Sequence, residues 1–232
     1  MAAPVDGEPG SPVVGEGSPT HFVPGTDPAR VLTLTDGVFA IIITLLVLEL
    51  HVPDLAAGQS LRDAIREVQP SFVAFTISFV VVAIAWAGHR DLFALIRQTD
   101  RSLVWLNIVY LFPLSIIPFG ASLLARYDDD PVALKMYGIL LLALTVARLA
   151  IWVYATGTHA HLLLRPIDRR SRRAAIALIG LPGFAYAIAI FVADRSPTGS
   201  LLIYAGVPVV YLISITLVRT NAPAGAAERD FT

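Results

Sequence analysis

RVLTLTDGVFAIIITLLVLEL, residues Arg30 to Leu50, is the stretch that decides how the rest of this chain is read. It opens with an arginine, hydroxyls and an acid (Arg30, Thr33, Thr35, Asp36). It then runs apolar for nearly the thickness of a bilayer, interrupted midway by Thr44. A polar group at that depth is costly in hydrocarbon, so each one asks for a reason. On a helical wheel of about 100° per residue, Gly37, Ile41, Thr44 and Leu48 share one stripe. Asp36, Ala40, Ile43 and Val47 form a second, and Val38, Ile42, Leu45 and Glu49 a third. Asp36 therefore points about 100° away from the Thr44 stripe, so one face can line something while the acid anchors into a bundle. Taken singly, these residues have plainer readings. Thr44 can bond back to its own helix at position i−4, Asp36 can cap a helix start, and Arg30 can snorkel to headgroups.

The composition fits that reading. The chain has 232 residues, of which 56% are hydrophobic and 15% charged, with a mean hydropathy of +0.69. The apolar residues fall in long blocks, which marks an all-α polytopic membrane protein. Six blocks are long enough to cross a hydrocarbon core: Leu32–Leu50, Pro70–Ala87, Leu103–Leu124, Val132–Ala155, Ala174–Ala193 and Ser200–Val218. They are continuously apolar rather than alternating, which argues against a transmembrane barrel. A net charge of −1 and no basic patch with interleaved aromatics argue against a nucleic-acid partner. With no cysteine there are no disulfides, thiolate metal sites or cysteine nucleophiles.

Residues 1–28 are rich in Pro, Gly, Ala and Ser and lack the basic start and apolar core of a signal peptide, so they read as a disordered tail. Residues 221–232 read likewise, leaving 29–220 as the six-helix membrane domain. Arg30, Arg90, Arg97, Arg101, Arg165, Arg169, Arg170, Arg172, Arg173, Arg219 and Arg229 fall on one side of the membrane. Arg62, Arg66, Arg126, Lys135 and Arg195 fall on the other. The positive-inside rule then places both termini in the cytoplasm. Between the first two blocks, Ser60–Val68 suits a short surface helix, and Asp128–Asp130 before Pro131 suits an outer turn capping the fourth block. Arg148, inside that block, should face the protein interior with a partner, which the sequence does not name. The two halves show no inverted repeat, which weakens a secondary-transporter reading.

His89 lies at the membrane boundary just past the second block, and Trp105 and Asn107 stand near the start of the third, at the depth of Asp36. Polar groups at one level of an apolar bundle are best explained as one satisfied network. Zinc is a weaker reading, because no second histidine lies nearby at ligand spacing. Pro113 and Pro118 in the third block read as static kinks.

The pattern Arg30-Val-Leu-Thr-Leu34-Thr35-Asp36-Gly37, with Ala40, Ile41 and Thr44 in register, resembles the transmembrane protein 175 family of potassium channels. His89, Arg90 and Phe93, then Trp105, Asn107, Pro118 and Phe119, match the same family, and the resemblance is strong over about Arg30–Gly120. Two positions depart from its motif: a phenylalanine is Leu34, which keeps apolar packing without the aromatic face, and a serine is Thr35, which keeps the hydroxyl. The resemblance implies a homotetramer of six-helix subunits whose first helices surround a central pore, and a potassium-selective leak channel in the plasma membrane. It implies Ile41, Leu45 and Leu48 as apolar pore and gate residues, Thr44 as the selectivity residue, and Arg30, Thr35, Asp36, His89, Trp105 and Asn107 as a structural anchor. The partners implied are K+ ions, the lipid bilayer and other copies of the chain, with no cofactor and no resident metal. A ring of isoleucines can close a pore by dewetting, and threonine hydroxyls can replace part of an ion's water shell. The alternative is a proton- or ion-coupled transporter using Asp36 and His89. An enzyme is disfavoured, since no serine–histidine, metal or paired-carboxylate constellation stands at membrane depth.

Overall fold

The computed structural model describes residues 27–55 and 57–220, with backbone alone for 215–220. The two expected tails lie almost wholly outside these residues. The described chain forms seven α-helices: α1 Pro28–Leu48, α2 Leu61–Glu67, α3 Gln69–Phe93, α4 Arg101–Arg126, α5 Pro131–Thr156, α6 Arg169–Val192 and α7 Pro197–Thr220. Six of them are long and apolar enough to span a bilayer, and α2 is the short helix expected between the first two. Its N-cap is Ser60, whose hydroxyl accepts from the Asp63 N–H.

Helix starts follow the caps written in the sequence. Asp27, Asp100, Asp130 and Asp168 each accept a backbone N–H from the first turn of α1, α4, α5 and α6. The carboxylate satisfies a donor that has no partner inside the helix and complements the positive end of its dipole. At α1 this moves the start ahead of the apolar block: Asp27 caps and Pro28 occupies the first helical position, where its missing N–H costs nothing. Asp36 is therefore well inside the helix and not at its start.

The helices alternate in direction. The ends of α3 and α5 and the beginnings of α4 and α6 gather on one side, which we term the basic face. There the α3–α4 and α5–α6 connections pair through an isolated bridge between Ile96 and Leu163, with Leu164 N–H donating to the Leu95 carbonyl at 2.8 Å. The bundle interior is built by α3, α4, α5 and α6, with α7 packed on α3, α5 and α6. Its hydroxyls are satisfied locally: Tyr137 shares a 2.8 Å hydrogen bond with Ser78, and Tyr204 donates to the Leu134 carbonyl at 2.8 Å. Small residues permit this proximity. A methyl group at Gly138 would collide with the Tyr204 hydroxyl, and one at Gly120 with Leu140. By contrast, α1 lies at the edge of the bundle, packed on α3 and α4.

Asp100 joins two of these features. It caps α4 through the Leu103 N–H at 2.7 Å and accepts the Tyr154 hydroxyl of α5 at 2.7 Å. Burial by itself would raise its carboxyl, but the Tyr154 and Leu103 hydrogen bonds and the nearby His159 and His161 hold it below its ordinary value of 3.8. A lowered folded-state value means that this carboxylate stabilises the fold above 3.8 and that the contribution is lost as pH falls through the lower value. Asp100→Ala should cost about 1 kcal/mol of stability at neutral pH, as expected for a lost cap. It should also flatten the loss of stability as pH falls below the ordinary carboxyl value of 3.8, measured by thermal melts in detergent.

Candidate functional site

The side chains of α1 divide cleanly by burial. Val31, Thr35, Phe39, Ile42 and Leu46 are buried against α3 and α4. On the opposite side Leu34, Ile41, Thr44, Leu45 and Leu48 are uncovered, with Ile41 59% and Leu48 67% exposed in the single chain. Ile41, Thr44, Leu45 and Leu48 occupy an arc of about 100°. Leu45, which the wheel grouped with Ile42, therefore stands with Ile41, while Ile42 is core.

The buried side of α1 is tied down by a directed hydrogen-bond chain. Asn107 Oδ1 can only accept, so His89 Nε2 carries the proton of the 2.8 Å bond between them. Asn107 Nδ2 then donates to Thr35 Oγ1 at 2.8 Å, and Thr35 Oγ1 donates to the Val31 carbonyl at 2.9 Å. All three side chains are almost fully buried, and the chain links α3, α4 and α1. His89 is held in plane by stacking on Phe93 at 4.3 Å and Tyr110 at 5.5 Å, with Phe39 of α1 tilted against it.

The other expected anchor residues lie elsewhere. Asp36 is exposed, about 100° round the helix from Thr35, and accepts the Trp86 indole N–H of α3 at 2.9 Å. Arg90 lies over the Trp86 ring at 5.4 Å and pairs with Asp91 at 3.1 Å. Trp86 was not singled out in the sequence, although its spacing of three from His89 places it on a neighbouring face of the same turn. Trp105 is 57% exposed and makes no hydrogen bond among the described residues. It stands two residues from the buried Asn107, which is about 200° around a helix, so the two cannot face the same network. Arg30 is also exposed, with no ion pair among the described residues. Asp36 and His89 therefore bond to different partners and share no direct hydrogen bond.

Thr44 Oγ1 donates to the Ile41 carbonyl at 2.8 Å, position i−3 rather than the expected i−4. Its proton is thus used within the helix, and the oxygen lone pairs are left for the uncovered side. That is the arrangement in which a hydroxyl serves a cation as an acceptor. Among the described residues no three His, Cys, Asp or Glu side chains come together to hold a metal ion.

Residues 30–118 match the family model described as "Endosomal/lysosomal potassium channel TMEM175". A potassium channel of Streptomyces collinus is 32% identical over 165 residues, covering 69% of this chain and 80% of that one. A potassium channel of Chamaesiphon minutus is 34% identical over 149 residues, covering 62% of this chain and 73% of that one. The fold is similar to the crystal structure of a lysosomal potassium-selective channel TMEM175 homolog from Chamaesiphon minutus. That match has a TM-score of 0.72 and 27% identity and covers 84% of this chain and 98% of the other.

Asn107→Leu would strand the His89 N–H and remove the donor to Thr35. It should lower stability by about 1–3 kcal/mol per unsatisfied buried group. Trp86→Phe keeps the ring and removes the donor to Asp36, so amide exchange should rise in residues 30–37 with little change in melting temperature; no change in exchange would refute that role.

Proposed function

Because this chain belongs to the TMEM175 family, we propose that it is a potassium-selective leak channel, conducting passively as a homotetramer whose α1 helices surround a central pore. The observation that carries this reading is the division of α1: one side is locked to α3 and α4 by the Thr35–Asn107–His89 chain, while Ile41, Thr44, Leu45 and Leu48 are uncovered. In a spanning helix at the edge of its own bundle, such a face needs further copies or lipid against it. Four copies around an axis would turn this arc into stacked rings.

In that assembly Ile41 forms the tight apolar ring, with Leu45 and Leu48 as further apolar rings beyond it. A ring of this kind blocks ions when it dewets and conducts when dilated and wet. Thr44 lies about 4.5 Å along the axis from Ile41, and its lone pairs face the ion. Potassium gives up hydration more readily than sodium, so a partly dehydrating constriction with hydroxyl acceptors favours it. Thr35, His89 and Asn107, with Asp36 held through Trp86, serve as the anchor that keeps α1 at a fixed radius; Arg30 and Trp105 remain available to neighbouring copies or headgroups. The basic face lies in the cytoplasm of a plasma membrane, with both termini on that side.

The test is flux from liposomes under opposed potassium and sodium gradients. Potassium should move down its gradient without a coupled ion, and flux that requires a proton gradient would overturn the reading. Thr44→Val should lower the potassium-to-sodium permeability ratio by about fivefold, equivalent to about 1 kcal/mol. Ile41→Asn should hydrate the constriction and raise conductance. Asp36→Ala should reduce recovery of tetramers more than it changes selectivity.

A further inference from the structure

Arg148 lies about two turns inside α5 from the basic face, at a depth where an arginine needs a partner. Among the described residues it has neither an ion pair nor a hydrogen bond. Its guanidinium instead fills the space that Gly88 of α3 leaves open: a methyl group at Gly88 would collide with Nη2 and Cζ. One turn nearer the basic face, Trp152 carries a buried indole N–H that also lacks an acceptor among the described residues. Arg148 and Trp152 line the same cavity of about 200 Å³ between α3, α5, α6 and α7, whose rim residues Asp91, Leu95 and Leu178 are exposed. Asp91, the acid on that rim, is paired with Arg90.

On the other side of Arg148, towards the bundle middle, a second and apolar cavity of about 60 Å³ is lined by Ile84, Leu144, Ile179, Pro182 and Val207. Arg148, Leu178, Ile179 and Tyr211 border both cavities. The first turn of α6 carries Arg169, Arg170, Arg172 and Arg173, and Ala175 just beyond it lines the polar cavity. An arginine without an acceptor among the described residues, a run of arginines opening α6 on the same side of the bundle and an apolar continuation towards the membrane middle fit one ligand. We propose that this cleft binds an anionic phospholipid of the basic-face leaflet, its phosphate accepting from the Arg148 guanidinium and an acyl chain following the apolar cavity. A free phosphate would satisfy the donors but not the apolar half. Basic pockets between spanning helices recognise headgroups by this combination of charge and desolvated donors. The site is separate from the uncovered arc of α1 and does not depend on the channel reading.

Native mass spectrometry of the detergent-purified full chain tests this directly, with dioleoylphosphatidylglycerol, dioleoylphosphatidylcholine and inorganic phosphate as separate probes. Wild-type protein should retain phosphatidylglycerol at about tenfold lower lipid concentration than phosphatidylcholine, about the worth of one charge-assisted hydrogen bond. Arg148→Met should abolish that preference. Equal retention of the two lipids by wild-type protein would overturn the proposal, as would an unchanged preference in Arg148→Met. Displacement of the lipid by millimolar inorganic phosphate would overturn the lipid assignment in favour of a phosphate site. Should Arg148→Met fail to fold, the wild-type comparison of the three probes decides by itself.

Discussion

The hydrogen-bond chain running from His89 through Asn107 and Thr35 to the Val31 carbonyl is the constraint on which the position of α1 depends. Spanning helices gain little from apolar contact with one another, because lipid tails are equally apolar. Van der Waals contact from Phe39, Ile42 and Leu46 holds α1 near α3 and α4 but is nearly indifferent to small rotations. The chain of bonds is not. Each link has one donor and one acceptor, and rotating α1 would leave the Asn107 amide N–H unpaired in a low-dielectric interior. Rotation is thereby set, and with it the identity of the uncovered residues.

The same logic separates the polar residues by cost. Asp36, on the exposed flank, needs one donor, and Trp86 supplies it. Thr44 resolves its own donor on the helix backbone. Arg148 is the exception, since the protein gives it space at Gly88 and no counter-charge among the described residues. A bundle that satisfies Tyr137, Tyr204, Asn107 and His89 within hydrogen-bond distance leaves Arg148 facing a cleft without an acceptor among the described residues.

Much of this was legible beforehand. Six continuous apolar blocks can be little else than spanning helices, and the acid-plus-proline pair at Asp130 and Pro131 writes one helix start, whereas the equivalent pair at Asp27 and Pro28 falls in the stretch read as a tail. The depth match among Asp36, His89 and Asn107 was readable because position along a helix follows from residue number alone, although the residue that Asn107 bonds is Thr35, one position earlier. Partner choice was not. Trp105 shares the depth of Asn107, and only the rotational setting of α4, with Asn107 turned inward, places Trp105 outside.

The sequence by itself determined that this is an α-helical membrane protein, the number and order of its crossings, and the stripe of α1 that carries Ile41, Thr44 and Leu48. Those properties follow from local periodicity and from the bilayer's demand that each backbone group be satisfied within its own helix. Only the tertiary structure decided which side of that helix is covered, that Trp86 rather than Trp105 holds Asp36, and that Arg148 packs into the gap at Gly88. Those outcomes turn on the rotation and separation of helices distant in sequence, which are set by small residues and single hydrogen bonds rather than by any pattern within one segment.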